Sequence, residues 1–244
     1  MELTPDPAAA LLPDALLDHG ALEVVGRVAW SSNAALLVTV EHDGVETLAV
    51  YKPQRGERPL WDFPEGSLCR RETAAHVLSE ALGWGLVPRT ILRDGPYGIG
   101  SVQRFVDHDP EEHYFTLLED HVDAFVRFAV FDVIANNADR KGGHCLRERA
   151  TNRIYGIDHG LTFHVAPKLR TVIWDFAGET IPDELLAKVG RLRAQLDGAV
   201  GDEFRALLHP MEMDALIGRV DDLLADPRLP EPDEGYHSVP WPMI

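Results

Sequence analysis

A chain of 244 residues, 45% of them apolar and 26% charged, carries enough apolar material for one large core or two smaller lobes, which excludes a disordered polymer. Forty acidic side chains against 23 basic ones give a formal charge of −17, a surface that repels nucleic acid and anionic lipid, so no nucleic-acid partner is expected. Two cysteines make no disulfide framework, no basic-then-apolar leader opens the chain, and no apolar run is long enough to cross a bilayer. The expectation is a soluble cytoplasmic protein without integral membrane association.

Residues 1–20 mix three prolines with a short helical run and read as an extension. From Ala21 the pattern turns β-branched, and three antiparallel strands are predicted over Leu22 to Trp30, Ala35 to Glu41 and Glu46 to Lys52, with a hairpin turn at His42-Asp43-Gly44. Between the first two lies Ser31-Ser32-Asn33, which reads either as an ordinary turn or as small polar groups facing phosphate oxygens. Lys52 ends the third strand, where it either reaches inward or snorkels to water. A loop around Leu60-Trp61-Asp62-Phe63 precedes a helix running to Gly83, with Ala75, Leu78, Ala81 and Leu82 on one stripe. Glu72 falls in its first turn on this reading, where it serves the helix dipole or pairs with Lys52.

Two further strands, Arg89 to Leu92 and Gly100 to Val106, complete a first lobe over residues 21–107. Residues 108–225 form a second lobe whose core is one long buried helix, Phe115 to Ile134. A short hairpin follows at Cys145-Leu146 and Arg153 to Ile157, then helices over Pro182 to Leu196 and Asp202 to Leu224. Residues 226–244 are a Pro-rich, irregular tail.

The chemistry is concentrated after the long helix. Asn136-Asn137-Ala138-Asp139-Arg140-Lys141-Gly142-Gly143-His144 is a polar loop centred on an aspartate, and Ile157-Asp158-His159-Gly160 brings a second aspartate on a strand-like run. Phosphoryl transfer needs one carboxylate to orient the attacking hydroxyl and another to hold the metal that bridges nucleotide phosphates. Asp139 and Asp158 suit those roles in that order.

The succession of a Ser-Ser-Asn loop, a strand lysine, a helix with an early glutamate, a Gly-Ser-x-Gln strand, an Asp-Arg loop and Ile-Asp-x-Gly resembles the protein-kinase-like superfamily. It is most similar to the phosphatidylinositol 3-/4-kinase branch, the type II phosphatidylinositol 4-kinases especially, with HipA-type bacterial kinases more distant. The resemblance covers roughly Gly26 to Phe163. It implies an α+β, bilobal protein-kinase-like fold, with an antiparallel-sheet N-lobe carrying one helix and a small, mostly helical C-lobe. It also implies that Ser31, Ser32 and Asn33 cover the phosphates, that Lys52 contacts them with Glu72 as its partner, and that the backbone around Gln103, Arg104, Phe105 and Val106 meets adenine. Asp139 falls on the catalytic aspartate and Asp158 on the metal ligand. The expected cofactors are ATP with Mg2+ or Mn2+, and the expected activity is ATP-dependent transfer to an unidentified protein or small-molecule acceptor. The alternatives are a pseudokinase that binds nucleotide to present a surface, and transfer of the nucleotidyl group.

Two departures stand out. His144 occupies the place of a metal-binding asparagine, and imidazole suits manganese better than magnesium; the other reading is a histidine packed in its loop. Gly142-Gly143 replaces bulkier residues.

Overall fold

The structure, a computed structural model, describes residues 14–28, 34–233, 235 and 237–244. Five antiparallel strands form the N-lobe sheet: β1 (Ala21–Arg27), β2 (Leu36–His42), β3 (Val45–Pro53), β4 (Thr90–Gly95) and β5 (Gly98–Arg104), in the order β1-β2-β3-β5-β4. The β2–β3 hairpin turns through Asp43 and Gly44, both at positive φ, as a two-residue hairpin turn of matching twist requires. Strand alternation sends Val38, Val40, Ala49, Tyr51 and Val102 to one face, where Leu16 and Leu17 of α1 (Asp14–His19) cover them. The N-terminal stretch thus closes the sheet's core. Lys52, one residue past Tyr51, faces the other side.

The helix α2 (Leu68–Ala81) follows β3, yet its apolar stripe, Ala74, Ala75, Leu78 and then Leu82, belongs to the core of the C-lobe. That core is built on α4 (Val122–Ala135) with α5 (Asp183–Gln195), α6 (Ala199–Leu207) and α7 (Pro210–Ala225). A second tie is polar: the buried guanidinium of Arg71 on α2 donates to Glu212 on α7 and to the carbonyl of Thr162. Because Leu68 opens the helix, Glu72 lies beyond its first turn, and the dipole reading of that residue is corrected. The N-terminal amides are met instead by Glu57, which accepts from Leu68 N at 3.1 Å and Cys69 N at 2.8 Å.

Two predicted helices are each divided. The long one becomes α3 (Tyr114–Leu117) and α4, broken across Glu119-Asp120-His121, whose polar side chains do not continue the buried circumference. The last one becomes α6 and α7 at Leu208-His209-Pro210. Proline lacks the amide a continuous helix needs and suits a first position, and Glu212 accepts from His209 N at 2.9 Å to complete the start of α7. The short hairpin is β6 (Cys145–Arg147) with β7 (Ile154–Gly156). The irregular tail is packed: Leu229 enters the main core, and Ser238 and Pro240 are buried. No helix among the described residues is long and apolar enough to cross a membrane.

Removing Glu212 leaves the Arg71 guanidinium buried without its counter-ion. Glu212→Ala is expected to lower the unfolding free energy by about 3–5 kcal/mol. Urea denaturation checks this, with Glu212→Gln, which keeps an acceptor, losing less; equal stability of Glu212→Ala and wild type would show that Arg71 is rescued by other groups.

Candidate active site

The loop after α4 is fixed by its two asparagines, which work in opposite directions. Asn136 ends α4 in the left-handed conformation, at φ 49°, and reaches outward. Its amide donates to His164 O at 2.9 Å and Ala166 O at 2.8 Å, and its oxygen accepts from Lys168 N at 2.8 Å. Asn137 turns inward, donating to Asp132 Oδ1 at 2.9 Å and accepting from the Asp139 amide at 3.1 Å. Asp139 therefore leaves the loop with its backbone held from both sides.

Beneath it lies a group that sequence reading did not single out. Arg140 and Asp132 are both completely buried, and the guanidinium contacts both carboxylate oxygens at 2.9–3.3 Å. Arg140 also donates to Ile157 O at 3.3 Å and to His159 Nε2 at 2.7 Å, so that ring is neutral with its proton on Nδ1. One arginine thus joins the Asp139 loop to the segment that carries Asp158. The available signal was an acid, Asp132, inside an otherwise apolar helical run.

Across the cleft, the Lys52 ammonium contacts Glu72 Oε1 and lies 2.9 Å from Asp158 Oδ1. The second oxygen of Glu72 accepts from His159 N at 3.0 Å, so the glutamate holds both the lysine and the backbone beside Asp158. Asp158 takes a left-handed backbone, φ 60°, which aspartate tolerates better than most residues, and its side chain is 44% exposed to the cleft. His144 Nε2 stands 3.4 Å from its other oxygen. Lys52, Glu72, Asp139 and Asp158 line a single cleft of about 260 Å³, together with Leu68, Cys69 and Leu161.

The electrostatics sort these groups. The Lys52 ammonium beside Asp158 holds its carboxyl well below the usual carboxylate range, more than offsetting burial. Burial acts against the Lys52 ammonium, but Asp158 and Glu72 outweigh it and raise its pKa. For Asp139 burial raises the pKa, Asp158 adds to the rise, and Lys141, at 3.4 Å, opposes it. Burial lowers His144 to about 4 despite Asp158, leaving a neutral imidazole near pH 7.

The remaining expected positions divide. Ser31, Ser32 and Asn33 lie outside the described residues. Gln103 points across the sheet, donating to Thr90 Oγ1 at 2.8 Å, and Arg104 pairs with Glu148 and stacks on Tyr155. The Arg104 and Phe105 amides are taken by Arg89 O at 2.8 Å and Leu48 O at 3.1 Å, so neither is free to meet a base, although the strand itself ends at Arg104, short of the Val106 expected. Val106 is placed differently. It packs with Leu146 and Tyr155, next to Ile157, in an apolar patch beside Asp158.

Among the described residues no three His, Cys, Asp or Glu side chains converge as a metal cage. That suits a nucleotide-borne magnesium or manganese, which takes one or two protein ligands and fills its shell with phosphate oxygens and water. Asp158, ionised and open to the cleft, fits such an ion, and neutral His144 is the second donor within reach.

Residues 69–190 match a family model described as phosphatidylinositol 3- and 4-kinase. Protein Rv2133c of Mycobacterium tuberculosis is 40% identical over 264 aligned positions, which cover 93% of this chain and 94% of that protein. The proinflammatory kinase CtkA of Helicobacter pylori superposes with a TM-score of 0.53 at 13% identity, over 86% of this chain and 94% of that one. Fam20 of hydra, solved with sugar, gives a TM-score of 0.50 at 11% identity, over 86% and 87%. Both structures share the bilobal architecture.

His144 supplies a pH test. Its folded pKa of about 4 lies below the ordinary value of about 6.5, so between those values the unfolded chain binds the extra proton and stability is lost as pH falls. His144→Asn is expected to lose less stability than wild type between about pH 6.5 and 4, read by thermal melts, and the wild-type ring to titrate near the lower limit by NMR. A midpoint near 6.5 would place the ring in water.

Proposed function

The chain belongs to the phosphatidylinositol 3- and 4-kinase family, and on that premise we propose that it is an ATP-dependent phosphotransferase acting on a hydroxyl of a protein or small molecule. The observation that carries this reading is the meeting of Lys52, Glu72, Asp139 and Asp158 in one cleft, with Lys52 contacting two of the acids. Lys52 binds the α- and β-phosphates, held in place by Glu72. Asp158, with His144 beside it, would hold a divalent ion, which would supply positive charge to offset that of the phosphates. Asp139 orients the acceptor hydroxyl and takes its proton as the oxygen bonds to the γ-phosphorus and the bond to the β-phosphate oxygen breaks, releasing ADP. Its raised pKa makes it a better proton acceptor than an exposed aspartate, and Lys141 is placed to meet charge on the transferred group. The apolar patch of Val106, Leu146 and Tyr155 suits the flat face of a base.

One feature favours a second reading. Both oxygens of Asp158 face protein groups, Lys52 and His144, an arrangement that also serves a pseudokinase holding nucleotide as a structural ligand. Incubation with γ-labelled or α-labelled ATP plus magnesium or manganese separates the cases: label passes from γ in a kinase, from α in a nucleotidyl transferase and from neither in a pseudokinase.

Substitution distinguishes the roles. Lys52→Ala is expected to weaken ATP binding by about tenfold or more, the loss of one charge-assisted contact. Asp158→Ala removes the metal dependence of binding. Asp139→Asn leaves ATP affinity within about twofold while lowering transfer by about a hundredfold or more. Calorimetric titration with and without metal, alongside label transfer, checks all three; undiminished ATP affinity in Lys52→Ala overturns the assignment of the cleft.

A further inference from the structure

The catalytic loop accounts for its backbone amides almost completely from its own neighbourhood. Ala138 N donates to Leu161 O at 2.8 Å, Asp139 N to Asn137 Oδ1 at 3.1 Å and Arg140 N to Arg170 O at 3.0 Å. Gly142 N is the exception, for its partner comes from the far end of the sequence: it donates to Met243 O at 2.6 Å. The same tail is anchored upstream, where Ser238 O accepts from Thr171 N at 3.0 Å and from Trp174 Nε1 at 3.0 Å. Thr171 is itself bridged to Arg140.

Gly142 has its explanation here. A Cβ on Gly142 would stand 3.1 Å from the Phe115 ring and 3.3 Å from Met243 O, tighter than ordinary contact, and one on Gly143 would lie 3.8 Å from Ile244. A larger residue at 142 would force the Phe115 ring and Met243 to give by a few tenths of an ångström. The glycine at 142 and the position of Met243 are therefore two sides of one contact.

We propose that residues 238–244 form an intramolecular strut that sets the position of the catalytic loop, with the Met243 carbonyl as its positioning group for Asp139 and Lys141. Its effect on turnover rests on the phosphotransferase reading; its effect on the loop does not. The strut reaches the loop from the side of Phe115 and does not line the cleft that holds Lys52, Glu72 and Asp158. It therefore governs the step at Asp139 and leaves nucleotide affinity alone.

The test is a chain ending at Trp241, which keeps the Ser238 anchor and loses Met243, with Gly142→Ala in the full chain as an independent way to displace the contact. Amide exchange followed by mass spectrometry is expected to rise in the peptide spanning 138–144 and stay unchanged in α2. ATP affinity stays within about twofold, while γ-phosphate transfer, to water or to the chain itself, falls about tenfold or more at unchanged KM for ATP, since small misplacements of reacting groups are costly. Exchange in the loop equal to wild type in both variants overturns the proposal, as does an increase in transfer on truncation, which would make the tail an inhibitor. If the full chain transfers no phosphate from ATP, the kinase reading fails by itself and loop exchange alone decides on the strut.

Discussion

The buried ion pair between Asp132 and Arg140 is the interaction on which the architecture of the proposed site rests. Two charges removed from water carry a desolvation penalty of several kcal/mol each, which their mutual attraction offsets only when the remaining hydrogen-bonding capacity is filled. Here it is filled on both sides. Asp132 also accepts from Asn137, and the Arg140 fork reaches Ile157 O and His159. The pair costs much if half-made, so the Asp139 loop, the segment that carries Asp158 and α4 have one mutual arrangement in which it is satisfied. Asp139 and Asp158 inherit their relative placement from that requirement.

A chain with a charge of −17 that is proposed to bind a polyanion has to concentrate its positive charge locally. Lys52 does so with unusual economy of groups: an ammonium has three donors, and the described contacts to Glu72 and Asp158 employ two directions. Both acids keep the lysine charged, and the lysine keeps Asp158 ionised. A phosphate entering the cleft would meet a cation already oriented, with Glu72 locked in turn by the His159 amide. Lys141 places a second cation beside Asp139, where the acceptor is proposed to bind.

How much of this could be read from the sequence depends on the range of the cause. Strand alternation and turn chemistry located the five strands, the residue types demanded by phosphoryl transfer drew attention to Asp139 and Asp158, and the family resemblance to Lys52 and Glu72; the fold brings the four into one cleft. His144 comes with them. The amides of Arg104 and Phe105 were misread as free for adenine because whether they are occupied depends on Arg89 and Leu48, which only pairing brings close. Helix breaks were missed where apolar periodicity was weighed above Pro210 and above the polar Glu119-Asp120-His121. Asp132 was not singled out, because its partner Arg140 lies past the helix end. The docking of Met243 on Gly142 spans a hundred residues and leaves only a glycine as its trace.

The attachment of α2 to the C-lobe bears on how such a molecule would breathe. Its apolar stripe is sunk in the lower core and Arg71 grips α7, so the helix that presents Glu72 is anchored in the floor of the cleft while it also packs under β4 and β5 of the roof. Opening for exchange of a bound molecule would then be a lifting of the sheet over this helix, pivoting on the crossings at either end of α2. Each such excursion would separate Lys52 from Glu72 and Asp158 together, and each return would remake both contacts at once. The lysine would act as the latch of the lid, and the acids beneath as a fixed strike plate.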